Sequence, residues 1–299
     1  MIVGIDTSIM IYQAANIIGQ QNGDRFVPLK NSLGEITSHL VLLYYRTISM
    51  LEKDNMIKPV FLFDGKKPDI KRKRVRHIDS FTMTHEIIET SKELITLMGF
   101  PAIQSSYESD SQGAYMVKKG DLEWFATPDI DDAFAFGCPK CLKTKLHNDL
   151  EGEFLTIDDW IKQNNLLSLT QYRDVFILIG NDYNLKLLPK GKGNQFAIKS
   201  IQKFDSIENV EKEYHFGIDF DIVNASRKYL MFPKINSNYK IEDVKPDYDR
   251  LFTFLVEEND FSATKVLRTN ERLKNIHRKS GQKTLSSFFK KKEVKKDEE

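Results

Sequence analysis

Seven carboxylates in this chain stand where apolar runs end or helical patterns begin. Asp6 closes IVGID, Asp64 closes PVFLFD, and Asp129 and Asp131 follow LEWFA in ATPDIDD. Glu108 and Asp110 open the helical pattern of SYESDSQGAYM, and Asp182 lies in GNDY. Acids brought into one crevice repel and raise each other's pKa values. Divalent cations relieve that repulsion, and an all-oxygen donor set suits Mg²⁺, with Mn²⁺ as a substitute, rather than zinc. Two such ions side by side activate water and stabilise the leaving oxygen of a phosphodiester. Taken singly, each acid reads as a helix cap or a surface residue. Taken together at one sheet edge, they read as a site.

The elements that must position them alternate. Residues 2–5, 59–63 and 122–126 read as buried strands, whereas 36–53 and 84–98 have helical spacing. The second helix stops at Gly99 and Pro101. Such alternation predicts an α/β fold with a mostly parallel central sheet covered by helices on both faces. The carboxyl ends of parallel strands then face the binding crevice. Further along, an apolar helix ends at Gly180, and a loop carrying Gly191 and Gly193 precedes another helix. Beyond Asn275 the chain turns polar and basic without periodicity, which predicts a disordered tail.

The 299 residues carry 44 basic and 43 acidic side chains, a net charge of +1. The distribution is uneven. Lys66 to His77 holds seven Lys/Arg against one Asp, and the last 22 residues hold eight against four acids. From charge alone a basic run reads equally as a solvated face or as a binding surface, and its position relative to the acids decides. Two cysteines and no apolar stretch of spanning length predict a protein of a reducing compartment with no membrane partner. MIVGIDTSIM lacks the features of a signal peptide. Cys138 and Cys141, with His147 near, resemble a zinc knuckle, but a structural site needs four ligands and the chain has only these two cysteines.

In order, GIDTSIMIYQ, GEITSHLVLLYYRTISML with IKPVFLFDGKKPDIK, LMGFPAIQSSYESDSQGAYMVKKG, ATPDIDDAFAFG, LIGNDYN and FLVEENDFSATKVLRTNERL resemble the flap endonucleases. These belong to the structure-specific 5′ nuclease superfamily that includes exonuclease 1 and the xeroderma pigmentosum group G nucleases. The resemblance covers nearly the whole chain and implies a PIN-like nuclease core binding two Mg²⁺ ions. Each of the seven family metal acids has a counterpart in Asp6, Asp64, Glu108, Asp110, Asp129, Asp131 and Asp182. Asp110 replaces the usual Glu. Asp132 falls where the family needs no acid, so it is assigned to helix-start capping and dipole compensation. Lys71 matches the catalytic lysine beside the scissile phosphate. The family arginine that follows aligns with Ile78, and either Arg74 or Arg76 can substitute for it by helical spacing; Arg74 is taken as the catalytic one and Arg76 as a DNA contact.

Tyr12 matches a tyrosine that stacks on a base, and Arg46 is assigned to DNA contact with it. Gly191, Lys192 and Gly193 resemble the phosphate-gripping turn of the family's helix–two-turn–helix element. In the tail, Gln282, Leu285, Phe288 and Phe289 fit the peptide that docks on sliding clamps of the PCNA type. Only 44 positions separate Asp64 from Glu108, which implies a short helical arch at 66–90. The chain also starts at its first strand. Three regions are expected: a nuclease region over 1–130, an internal nuclease region over 131–275, and a flexible basic tail over 276–299. The expected activity is cutting of 5′ flaps at single-strand/double-strand junctions, in replication and repair, by an intracellular, DNA-associated monomer. A 5′ exonuclease or junction-cutting nuclease of the same fold is the alternative. A catalytically weak clamp-tethered DNA-binding protein is the alternative of another class.

Overall fold

Continuous apolar runs, whose successive side chains point to opposite faces, decide how the sheet is covered. In the computed structural model, residues 23–24, 55, 72–81, 147–149 and 282–299 lie outside the described residues. The strands are β1 (Ile2–Asp6), β2 (Gly19–Asn22), β3 (Arg25–Pro28), β4 (Lys58–Phe63), β5 (Ala102–Gln104), β6 (Trp124–Thr127), β7 (Lys140–Thr144) and β8 (Gly152–Thr156). The helices are α1 (Thr7–Ile17), α2 (Ser38–Lys53), α3 (His85–Leu97), α4 (Ser109–Lys119), α5 (Ile130–Ala135) and α6 (Ile157–Gln163). They continue with α7 (Leu169–Ile179), α8 (Asn194–Phe204), α9 (Ile207–Tyr214), α10 (Phe220–Met231), α11 (Tyr248–Phe252) and α12 (Ala263–Gly281), a π-helical turn at Thr253–Glu258 preceding the last.

Six strands form one sheet in the order β5-β4-β1-β6-β7-β8, parallel except for β8, while β2 and β3 make a separate hairpin. Val60, Leu62 and Phe125 face one layer with α4, α5, α7 and α8. Val3, Ile5, Phe61 and Phe63 face the other, with α1, α2, α3 and α12. Fully burying each such side chain contributes roughly 1.5–3 kcal/mol. The apolar runs are therefore continuous because both faces are covered.

Past residue 130, β7 and β8 extend the sheet that β1 and β4 begin. One correction concerns the C-terminus. Residues past Asn275 continue α12 to Gly281. Ile276 is buried, His277 Nε2 meets the Met98 carbonyl at 2.9 Å, and the His277 ring stacks on Phe100. Tertiary contact with the first half of the chain continues the helix where periodicity fades. Arg227 clamps the other layer: its guanidinium bonds Asp174 on α7 at 2.7 Å and Glu208 on α9 at 2.5 Å.

Candidate active site

Strands β4, β1 and β6 are neighbours and parallel, so the residues at their carboxyl ends emerge side by side. Asp6 ends β1, Asp64 follows β4, and Asp129 follows β6. Asp6, Glu108 and Asp129 are also the N-cap residues of α1, α4 and α5. Helix N-termini carry partial positive charge, so these positions ease the crowding of carboxylates.

The loop after β4 is locked to the loop before α4. Gly65 N–H donates to the Tyr107 carbonyl at 2.6 Å and Lys66 N–H to that of Ser106 at 3.1 Å. A Cβ on Gly65 would lie 2.0 Å from the Ser105 carbonyl oxygen, so only glycine permits this approach. Asp64 is thereby held next to Glu108, and its Oδ1 accepts from Ser109 N–H at 2.8 Å. Asp6, only 6% exposed, accepts from Ser109 Oγ at 3.1 Å and Thr127 Oγ1 at 3.2 Å.

Beyond α7, Asn181 Oδ1 accepts from the Tyr183 amide at 2.8 Å and Asn184 Nδ2 donates to the Ile177 carbonyl at 2.8 Å. That turn presents Asp182 to Lys71, whose Nζ lies 3.4 Å from Asp182 Oδ2 and 2.5 Å from Glu108 Oε2. A cavity of about 380 Å³ opens beside them, lined by Asp129, Asp131, Asp132, Tyr172 and Asp182.

The electrostatics match the crowding. Burial first, then the Asp64 charge, pushes Asp6 up to about 7. Burial and the charges of Asp6, Asp132, Asp64 and Glu108 push Asp110 well up. Glu108 is raised by burial and Asp64, with Lys71 opposing, and Asp129 is raised by burial, Asp131 and Asp182. Each group asks for positive charge. Among the described residues, no three side chains converge on a point that holds one ion as placed.

Asp132 requires a correction. Its carboxyl does not serve as a cap; burial and the charges of Asp129 and Asp182 push it up to about 8, with Lys71 opposing. Asp131, by contrast, is exposed and accepts from Tyr172 Oη at 2.7 Å. The i, i+3 spacing from Asp129 is the signal that was available, because it puts both residues on one helical face. Sequence reasoning also missed Ser109 and Thr127, whose hydroxyls support Asp6.

Residues matching two family models supply the wider comparison: an XPG N-terminal domain over 1–82 and an XPG I-region over 99–182. Flap endonuclease 1 of Methanosarcina acetivorans is 34% identical, across 96% of this chain and 94% of the relative. That of Archaeoglobus fulgidus is 30% identical, across 96% and 93%. The chain belongs to the flap endonuclease family.

Its fold agrees. The solved flap endonuclease 1 from Methanococcus jannaschii superposes with a TM-score of 0.74 at 27% identity, covering 93% of each chain. The catalytic core of Rad2 in complex with DNA substrate matches in fold, with a TM-score of 0.74 at 23% identity over 91% of this chain and 92% of that one. As a member of this family, the chain is a structure-specific 5′ nuclease.

The remaining sequence-assigned residues of this flap endonuclease relative divide into three groups. Tyr12, on the helix capped by Asp6, is 41% exposed. Gly191, Lys192 and Gly193 are exposed on the turn between α7 and α8, and Lys192 Nζ sits 4.4 Å from the Phe196 ring centroid. Arg46 is 7% exposed, and its Nη1 donates to Gln13 Oε1 at 2.5 Å and the Leu146 carbonyl at 2.8 Å, so it ties α1 to the chain beyond β7. Arg74, Arg76, Gln282, Leu285, Phe288 and Phe289 lie outside the described residues, as does His147. Cys138 and Cys141 are buried in the core. Among the described residues, no helix is long and apolar enough to cross a membrane.

Proposed function

We propose that this nuclease cuts 5′ flaps at single-strand/double-strand DNA junctions with Mg²⁺ as cofactor. The observation that carries the reading is the delivery of acids from three adjacent parallel strands to one edge, with Lys71 among them. The residues fit a divalent cation: the donors are all carboxylate oxygens, several are raised toward protonation by burial and then by mutual repulsion, and Asp110 Oδ1 is buried with no hydrogen-bond partner among the described residues. Asp6, Asp64, Glu108, Asp110, Asp129, Asp131 and Asp182 would hold a pair of ions. Such ions, when bound, activate water and stabilise the leaving oxygen. Mn²⁺ is expected to substitute.

Lys71 stays protonated beside its acids and offsets charge developing on the phosphate oxygens. Tyr12 stacks on a base flanking the cut, and the Gly191–Gly193 turn meets duplex phosphates without reading sequence. Arg74 and Arg76, in the basic run after Lys71, add phosphate attraction. The tail peptide docks on a sliding clamp through Leu285, Phe288 and Phe289. The enzyme works as an intracellular monomer in Okazaki fragment processing and repair.

A labelled 5′ flap incubated with Mg²⁺ tests the reading. Cleavage at the junction that Asp129→Ala abolishes supports it, and an uncut flap overturns it. The 44 positions between Asp64 and Glu108 favour tolerance of blocked 5′ ends, and flaps capped with a bulky adduct measure that directly. Phe288→Ala with Phe289→Ala is expected to remove clamp stimulation while leaving clamp-free cleavage intact.

A further inference from the structure

A second cavity, of about 420 Å³, opens at the amino ends of β1 and β4, the edge of the sheet opposite the acids. Ile2 and Val60 line it from the strands, Phe100 from the turn before β5, Ile241 and Val244 from the chain after α10, and Ile276 from α12. Its walls are fixed. His277, also in the lining, meets the Met98 carbonyl through Nε2 at 2.9 Å, and its ring stacks on Phe100 at 5.1 Å. Across from it, Asp247 N–H donates to the Leu97 carbonyl at 3.0 Å. Pro246 packs on Gly99, where φ is +87° and a Cβ would lie 2.9 Å from the proline ring. A preformed apolar cavity open to water favours an apolar occupant.

Charge and position say which one. The charged residues lining the cavity are Glu242, Asp243 and Lys58, all exposed. Glu242 lies 3.3 Å from Lys240, but that pair is exposed at both ends and worth little in water. Such a rim disfavours a nucleic acid and favours a basic peptide. The helix that carries Ile276 and His277 ends at Gly281, about 6 Å along its axis past His277 at 1.5 Å per residue. Residues 282–299 follow it and lie outside the described residues. Their sequence places Leu285, Phe288 and Phe289 directly before Lys290, Lys291 and Lys292. From Gly281 the chain reaches Phe289 in eight residues, a span of up to about 26–29 Å. That is ample to return to the cavity.

We infer that this cavity takes Leu285, Phe288 and Phe289 of the same chain, with the three lysines that follow set against Glu242 and Asp243. Tethering presents the side chains at about millimolar local concentration, far above that of a second copy. The occupied cavity and the carboxylates stay at opposite edges of the sheet, so docking leaves the nuclease site open. A sliding clamp that binds the same side chains must compete with the cavity, and its apparent affinity falls by the fraction of chains left undocked. That consequence rests on the clamp reading above, whereas the docking itself does not.

Hydrogen–deuterium exchange of the full-length chain, read by mass spectrometry without DNA or metal, tests this. Amides of 283–289 are expected to exchange roughly 10-fold slower than an unstructured peptide, the ratio of a tether concentration of about 1 mM to a cavity affinity of about 0.1 mM. Leu285→Ala with Phe288→Ala and Phe289→Ala should return them to the unstructured rate and speed exchange in 57–60 and 241–244. None of the three belongs to a described element, so loss of the fold does not confuse the result. Val244→Lys, which puts a charge in the cavity, should free the same tail amides. Unprotected tail amides in the wild type overturn the inference, as does cavity exchange that the triple variant leaves unchanged. Protection that fades on tenfold dilution means that a second copy fills the cavity, which overturns docking within one chain.

Discussion

The Lys71 ammonium joins two acids from opposite walls of the site, 2.5 Å from Glu108 Oε2 and 3.4 Å from Asp182 Oδ2. Burial pulls its pKa down, but Glu108, Asp64 and Asp182 outweigh that and the net shift is upward. Lys71 is consequently a fixed positive charge at any pH the enzyme meets, and not a general base. Lys71→Met is expected to slow single-turnover cleavage about 10²–10³-fold, in the range of losing one preorganised electrostatic partner. Flap affinity should change far less. An equal loss in affinity and rate would mean that Lys71 acts in binding.

Crowded acids also make a pH prediction. Asp6 is raised to about 7 and Asp132 to about 8, from an ordinary value of 3.8. The folded chain thus holds more protons than the unfolded chain between about pH 4 and 8, and metal-free stability falls as pH rises through that window. Asp132→Asn removes one of these charges. Calorimetry without metal should show its melting temperature at pH 8 above that of the wild type by roughly 2–4 °C for each kcal/mol recovered. At pH 5 the two should converge. Saturating Mg²⁺ should abolish the wild-type decline. Because Asp132 sits among Asp129, Asp182 and Glu108, the same variant should raise the Mg²⁺ requirement of cleavage roughly 10-fold, whereas a capping residue would leave it unchanged.

Arg46→Ala separates fold from recognition. Its removal leaves Gln13 Oε1 and the Leu146 carbonyl without the charged donor, at a cost of about 2–3 kcal/mol. Urea unfolding should show that loss, with duplex affinity unchanged well below the transition. Weakened binding at full stability would place Arg46 at the DNA surface.

Two glycines of one turn should behave differently. Gly191 has φ +86°, so Gly191→Ala meets strain of about 1–2 kcal/mol despite open space. Gly193 has ordinary backbone geometry, and a Cβ there meets nothing within 4 Å. Gly193→Ala should leave stability unaltered and weaken duplex binding if phosphates approach this backbone. Anisotropy with a labelled duplex decides, and unaltered affinity would remove Gly193 from the interface.

The strand-end acids Asp6, Asp64 and Asp129 could be read from the chain because period and punctuation are local. Val60, Phe61, Leu62 and Phe63 announce a doubly covered strand, and the Asp that follows falls at its carboxyl end whatever the rest of the chain does. The parallel sheet and the convergence of Asp6, Asp64 and Asp129 follow from that. What the tertiary structure alone decided concerns direction and depth. Asp131 and Asp132 are adjacent in sequence, yet Asp132 is pushed up by burial and its acidic neighbours, whereas Asp131 accepts from Tyr172 Oη on the cavity wall. Arg46 reads as a surface cation until Gln13 and Leu146 enclose it. Long-range packing chooses which side of a helix is buried, and a one-dimensional pattern leaves that choice open when both sides carry polar residues.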